Sequence, residues 1–209
     1  RDNGKDDGEE DNLGWRVDEE AVFSVDIAVA WSDDNQLAVL RYPYENGENA
    51  NNTAQVITVD PITGESTLLI ERELEFAFIY WTIAWNGNTI AISEALPQAD
   101  TGIQSIDLFD AETGDLQQEI PLSDDTLYVF SLQFSADNNY ILAYNPVPRN
   151  ENLRFDPQYD GVIYIDLSDS SEHNLNEEQF VIQAGFAPEG NAIAYLVQNP
   201  MNPELGGLY

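Results

Sequence analysis

The sequence contains 209 residues, of which 43% are hydrophobic and 11% aromatic, so the chain can bury a core and is not disordered as a whole. Its 39 Asp and Glu residues against 7 Lys and Arg residues give a net charge of −32, which argues against nucleic acid and anionic membrane surfaces as partners. The absence of cysteine excludes disulfides and thiolate zinc sites, and no apolar run reaches the ~18 residues of a membrane span, so we expect no membrane insertion.

The N-terminal residues 1–20 differ in composition from the rest of the chain. They are polar, acidic and rich in glycine, and they offer almost nothing to bury. This composition predicts an acidic, disordered linker or tail rather than part of the folded domain.

From residue 21 onward the sequence consists of short apolar stretches separated by turns. These stretches are rich in Val, Ile, Tyr, Phe and Thr and are bounded by Asn, Asp, Gly and Pro, which is typical of strands. The predicted strands cover residues 22–30, 36–41, 55–59, 66–70, 76–84, 89–93, 103–109, 128–134, 140–144, 162–166, 180–186 and 192–197. The sequence therefore predicts an all-β fold.

An internal repeat organises these strands. Four segments, at 31–39, 85–92, 134–144 and 186–195, share an aromatic residue, a short polar turn and an apolar strand, and their aromatic residues are spaced by 54, 49 and 52 residues. An Asp-x-x-Thr-Gly element begins at Asp60 and again at Asp110, and Asp166 begins a degenerate third copy. Each unit of ~50 residues predicts four strands, which is the content of one β-propeller blade.

The segments Phe-Ser-Ala-Asp-Asn-Asn-Tyr-Ile-Leu-Ala-Tyr at 134–144 and Phe-Ala-Pro-Glu-Gly-Asn-Ala-Ile-Ala-Tyr at 186–195 resemble the F-S-P-D-G-x-x-I-A-Y signature of TolB-like, or WD40-like PD40-type, propeller repeats. The copies that begin at Trp31 and Trp85 depart from this signature, because Trp replaces Phe and the Pro is absent. The resemblance extends over most of residues 21–209 and implies a β-propeller of an exported, extracytoplasmic protein.

The repeat boundaries predict a partial propeller of about three and a half four-stranded blades. The blades cover about 21–70, 71–121, 122–176 and an incomplete 177–209. Since a propeller needs roughly four to eight blades to close its ring, we expect the chain to be a fragment whose ring is completed by missing blades of the same chain. A ring closed by a second chain is the alternative.

We predict no catalytic residue, no metal ligand and no cofactor-binding residue. The paired carboxylates fall in predicted turns, and His173, the one histidine, falls in a predicted loop without a Gly-x-Ser-x-Gly element anywhere in the chain. A bound calcium ion is the alternative that stays open. The acidic turn at Asp33 and Asp34 and the turn at 137–139 offer oxygen ligands, although neither turn has a tight ligand spacing.

The longest insertions follow the second strand of each unit, at 42–53, 145–161 and 199–206, and equivalent loops project from one face of a repeat protein. This rim is the predicted binding face, and its candidate residues are Tyr42, Tyr44, Arg149, Arg154, Phe155 and Tyr159.

The predicted function is a non-catalytic binding or scaffold module that recognises a protein, peptide or glycan through this rim. Two alternatives remain open. The first is the gating propeller of a prolyl oligopeptidase-like serine peptidase whose catalytic domain lies outside this chain, and the second is a structural part of a cell-envelope complex.

Overall fold

The structure is a computed structural model that describes residues 23–32, 35–45, 48–49, 53–73, 80–95, 105–122, 129, 131–144, 162–175, 180–198 and 206–208. The predicted tail at 1–20 and most of the long insertions therefore lie outside the described residues. What is described is almost entirely β-strand and tight turn.

The described residues form sixteen strands in four antiparallel sheets. The strands are β1 (Phe23–Trp31), β2 (Leu37–Glu45), β3 (Glu48–Asn49), β4 (Thr53–Val59), β5 (Ser66–Glu73), β6 (Tyr80–Asn86), β7 (Thr89–Ala95), β8 (Ser105–Asp110), β9 (Leu116–Pro121), β10 (Ser131–Phe134), β11 (Tyr140–Tyr144), β12 (Val162–Asp166), β13 (Ser171–Asn174), β14 (Phe180–Phe186), β15 (Ile193–Gln198) and β16 (Gly207–Leu208). The sheets follow chain order as blade 1 (β1-β2-β4-β5, with β3 on β2), blade 2 (β6-β7-β8-β9), blade 3 (β10-β11-β12-β13) and blade 4 (β14-β15-β16).

The blades stack face to face in chain order. The first strand of each blade contacts the first strand of the next, so that β1, β6, β10 and β14 form a continuous inner row. Three apolar cores fill the spaces between successive blades. Both faces of a middle blade are therefore buried, which explains the apolar character of its inner strands. The described sheets form an open, partial propeller of three complete blades and one shorter blade, and they confirm the predicted all-β class.

The polar turn after each repeated aromatic residue closes the hairpin between the first and second strands. In blade 3 the Ser135 N–H donates to the Tyr140 carbonyl at 2.9 Å, and the Ser135 hydroxyl accepts the Tyr140 N–H at 3.0 Å. These turns contain a residue with positive φ, which is Asn35, Gly87, Asn138 or Gly190. Asn and Gly are the residues that adopt this conformation at least cost, so the Asn- and Gly-rich composition of the turns follows.

The Asp-x-x-Thr-Gly element is the turn between the third and fourth strands. In blade 2 the Asp110 carboxylate accepts the N–H groups of Glu112 and Thr113, both at 2.9 Å, and Gly114 has a φ of 75°. Asp60 and Gly64 repeat this arrangement in blade 1. The backbone donors lower the pKa of the Asp60 and Asp110 carboxyl groups from the ordinary value, because they stabilise the charged form.

The composition predicts no strand at two places where the structure has an outer strand. β9 and β13 are the fourth strands of blades 2 and 3, and most of their side chains are at least partly exposed. His173 therefore lies in strand β13, and its predicted loop placement is wrong. A polar outer strand buries little on either face, so it carries no alternating apolar pattern.

Candidate binding site

The predicted binding rim falls largely outside the described residues. Arg149, Arg154, Phe155 and Tyr159 belong to the undescribed segment 145–161. Tyr42 and Tyr44 lie in strand β2, where they pair with Val25 and Phe23 of β1, so their predicted placement in a loop is wrong; their side chains lie outside the described residues. The rim and its residues therefore stay a prediction.

The described residues contain a groove of about 450 Å³ between blades 3 and 4, which we term the interblade groove. The groove lies at the end of the blades where the hairpin turns join the first strand to the second, because its lining includes Asp166 at the end of β12 and Asn191 in the turn between β14 and β15. The long insertions lie at the opposite end of the blades. Its lining residues are Tyr140, Tyr164, Asp166, His173 and Leu175 from blade 3, and Phe186, Asn191, Ile193 and Tyr195 from blade 4.

Aromatic rings form the blade 3 wall of the interblade groove. Tyr164 in β12 and His173 in β13 are paired across the two strands, and their rings stack with centroids 4.5 Å apart and planes inclined by 14°. Tyr140 meets the Tyr164 ring edge-on, with centroids 5.9 Å apart. The register of three neighbouring strands thus places these rings side by side, and such contacts restrict their rotation.

The polar groups at the turn end of the groove are held in place by short hydrogen bonds. Asp166 accepts the Ser168 N–H at 2.9 Å and the Ser168 hydroxyl at 2.6 Å. Asn191 donates its side-chain amide to the Asp137 carboxylate at 3.0 Å, which joins the turns of blades 4 and 3. Hydrogen bonds from Ser135, Asn191 and Asn139 hold the pKa of the Asp137 carboxyl group well below its ordinary range.

These bonds bear on the calcium expectation. Both oxygens of Asp137 already accept hydrogen bonds from protein donors, so its carboxylate is engaged in the turn. Asp33 and Asp34 lie outside the description. Among the described residues no group of three or more His, Asp or Glu side chains is arranged to hold a metal ion. The expectation of no cofactor stays untested.

Polar contacts also fix each blade against the next. The Arg72 guanidinium of blade 1 pairs with the Asp107 carboxylate of blade 2 at 2.6 Å, and only 8% of the Asp107 side chain is exposed. Other links are amide groups that donate or accept across the interface, namely Asn86 to the Ser135 carbonyl, Gln118 to the Ser170 hydroxyl, and the Phe186 N–H to Gln133. Blades 3 and 4, which form the groove, are joined by two such links at their turn ends, Asn191 to Asp137 and the Phe186 N–H to Gln133.

The repeated aromatic residues do not all share one environment. Phe134 and Phe186 are buried in the cores between blades 2 and 3 and between blades 3 and 4. Trp85 is half-buried against the core between blades 1 and 2, whereas Trp31 is 57% exposed. Core packing explains the first three, and Phe186 also lines the groove.

The described residues contain no helix with the length and hydropathy that a bilayer span requires. The sequence matches no protein-family profile and no curated protein.

Several solved structures resemble this fold. The hydrazine synthase of Kuenenia stuttgartiensis superposes with a TM-score of 0.52 and 13% identity over 82% of this chain and 61% of that chain. An oligogalacturonate lyase in complex with manganese superposes with a TM-score of 0.56 and 11% identity over 87% of this chain and 51% of that chain.

A TolB-type protein from Agrobacterium tumefaciens superposes more weakly, with a TM-score of 0.47 and 13% identity over 87% of this chain and 72% of that chain. The chain thus spans about three fifths and about half of the lengths of the first two structures. At such low identity the likeness concerns the fold alone, and it agrees with the sheet order and repeat: the described part of this chain is a series of β-propeller blades.

Proposed function

We propose that the chain is a non-catalytic binding module of an extracytoplasmic protein, and that it recognises a protein, peptide or glycan. The interblade groove is the observation that carries this proposal. Its aromatic wall offers flat apolar surface, and Asp166 and Asn191 at its turn end offer hydrogen-bonding groups. Binding pockets typically combine a mainly apolar lining with a few fixed polar groups.

The hydrogen bonds around the groove support a role in ligand binding. At the turn end of the groove, Asp166 accepts the Ser168 N–H, and Asn191 and the Phe186 N–H donate to blade 3, so these bonds hold the walls in place. A site whose walls are already fixed loses little conformational entropy when a ligand binds. The strong negative charge of the chain disfavours nucleic acid as the ligand. No described residue favours the alternatives of a peptidase gate or an envelope structural part.

The experiment is a screen of the purified chain on peptide and glycan arrays, repeated with two variants. Tyr164→Ala removes the central ring of the groove, whereas Trp31→Ala removes an exposed ring of blade 1 outside the groove. We expect saturable binding to one ligand class that Tyr164→Ala weakens by about tenfold or more and Trp31→Ala leaves unchanged. Equal binding by both variants, or no saturable ligand for the wild-type chain, would contradict the proposal.

A further inference from the structure

One hydrogen bond between blades 2 and 3 depends on a chemically labile side chain. Asn86 ends strand β6, and its side-chain nitrogen Nδ2 donates to the Ser135 carbonyl of blade 3 at 3.1 Å. The next residue is Gly87, and among the asparagines that the structure describes only Asn86 is followed by glycine. Asparagine is a thermolabile residue, because its side-chain amide can be displaced by the main-chain nitrogen of the following residue.

Blade 2 differs from blades 1 and 3 at this repeat position. The residue after the repeated aromatic residue is Ser32 in blade 1 and Ser135 in blade 3, and each hydroxyl accepts a main-chain N–H within its own hairpin turn. Asn86 instead donates to the next blade. The labile amide of blade 2 is therefore part of the contact between two blades, whereas the serines serve only their own turns in these bonds.

The turn that follows Asn86 leaves the neighbouring main-chain nitrogen accessible. Asn86 pairs with Thr89, so Gly87 and Asn88 form a two-residue turn outside the strand ladder. Gly87 is exposed and has a φ of 53°. Because glycine has no Cβ, no side chain at this position shields the Gly87 nitrogen from the side-chain carbonyl carbon of Asn86.

Two hydrogen bonds restrain the pair in the folded chain. The Asn86 Nδ2 atom, which the reaction would expel, is the donor to the Ser135 carbonyl. The Trp85 Nε1–H donates to the Gly87 carbonyl at 3.1 Å and holds the turn against the end of β6. The Asn86 side chain must give up its bond to blade 3 before its carbonyl carbon can turn towards the Gly87 nitrogen.

We propose that Asn86–Gly87 is a site of spontaneous deamidation that the contact between blades 2 and 3 restrains. The Gly87 nitrogen attacks the Asn86 Cγ atom, the proton of that nitrogen passes through water to Nδ2, and Nδ2 leaves as ammonia. Water then opens the cyclic imide at one of its two carbonyl carbons. The products are aspartate and isoaspartate, and no atom is oxidised or reduced.

Neither product can restore the bond between the blades. A carboxylate at position 86 has no N–H to donate, and it places a negative charge against the Ser135 carbonyl, which then keeps only the Asn138 N–H as a donor. Isoaspartate also lengthens the main chain between β6 and the turn. The reaction therefore loosens the contact between blades 2 and 3 irreversibly, because a hydrogen bond is lost and a repulsion replaces it.

The first test measures where and how fast the purified chain deamidates. The chain is incubated at mildly alkaline pH, with and without urea, and each Asn-Gly pair is followed by peptide mapping and mass spectrometry. Asn3 is followed by glycine within the predicted disordered tail and is the unrestrained reference. We expect Asn86 to react about tenfold or more slowly than Asn3 in the folded chain and at a similar rate in urea, because a restrained site reacts from an opened state.

Two core variants test which contact restrains the site. Leu132→Ala removes a buried side chain from the core between blades 2 and 3, and Leu40→Ala removes the same side chain from the core between blades 1 and 2. We expect Leu132→Ala to speed deamidation at Asn86 by about tenfold and Leu40→Ala to have a smaller effect. The comparison of folded and urea-unfolded wild type keeps the test valid where a variant fails to fold.

A third variant measures the consequence of the reaction. Asn86→Asp reproduces one product, and Asn35→Asp is the matched control, because it adds the same charge in the exposed hairpin turn of blade 1. We expect Asn86→Asp to lower the melting temperature by about 2–4 °C more than Asn35→Asp does.

Four outcomes would overturn the inference. They are no deamidation at Asn86 in urea, equal rates at Asn86 in the folded and unfolded chain, equal acceleration by Leu132→Ala and Leu40→Ala, and equal melting temperatures for Asn86→Asp and Asn35→Asp.

Discussion

Two glycines at the same repeat position provide a direct test of how blades 1 and 2 pack. Gly64 and Gly114 both end an Asp-x-x-Thr-Gly turn, with φ values of 74° and 75°. A Cβ atom on Gly64 would meet nothing within 4 Å. A Cβ atom on Gly114 would clash with the carbonyl oxygen of Leu69 in blade 1, which is backbone and has little freedom to move aside.

We therefore predict unequal costs for the same substitution. Gly64→Ala forces an L-residue into the left-handed region and should lower the free energy of unfolding by about 1 kcal/mol. Gly114→Ala carries that cost and also an overpacking cost of about 1–3 kcal/mol, because blade 2 must move away from β5. The expected total for Gly114→Ala is about 2–4 kcal/mol.

The assay is equilibrium urea unfolding followed by tryptophan fluorescence, with the free energy of unfolding taken by linear extrapolation. The Gly64→Ala variant is the matched control, since the two turns share their Asp cap and their backbone conformation. Equal losses in the two variants would refute the reasoning, because they would show that the turn of blade 2 does not rest on β5 of blade 1.

Three further predictions concern polar groups. Arg72→Met removes the cation that pairs with the Asp107 carboxylate, and it should lower the free energy of unfolding in urea by about 2 kcal/mol, less than for a fully buried pair because Arg72 is 38% exposed. Glu71→Gln, on the exposed side of the same strand, is the control and should change the free energy of unfolding by less than about 0.5 kcal/mol. Similar losses in the two variants would contradict the prediction. Ser93→Ala should leave stability unchanged or raise it by about 1 kcal/mol, since the Ser93 hydroxyl is fully buried with no hydrogen-bond partner in the described part of the chain; a clear loss of stability would reveal a partner. Asp137→Asn should lower the melting temperature at pH 7, and the difference in melting temperature between this variant and the wild type should shrink as pH falls below about 4. Folding lowers the pKa of the Asp137 carboxyl group, so this group stabilises the fold above its unfolded pKa and loses that contribution when it is protonated. A difference in melting temperature that does not depend on pH would contradict the prediction.

The strands that the sequence predicts best include two that are largely buried. β11 and β12 begin and end where their apolar stretches do, and most of their side chains are buried. The outer strands β9 and β13 are polar, and only the requirement of four strands per repeat pointed to them. Local composition detects burial, so a strand at the outside of a blade escapes it even where its hydrogen bonds are regular.

The interblade groove escaped prediction for a related reason. Tyr164 and His173 are brought together by the pairing of β12 with β13, whereas the sequence predicts a loop at His173. The repeat itself held the missing information, because a fourth strand after Asp166 would have placed His173 opposite the third strand.

The repeat also explains what distinguishes one blade from another. The position three residues before the turn Asp is Ile57 in blade 1, Asp107 in blade 2 and Ile163 in blade 3. At Asp107 the preceding blade supplies a cation, Arg72, at bonding distance. If blade 2 packed in another order, this carboxylate would be buried without its cation, at a cost well above that of an apolar mismatch. Turn chemistry is therefore shared by all blades, whereas the polar contact between neighbours differs at each interface and helps to fix their order.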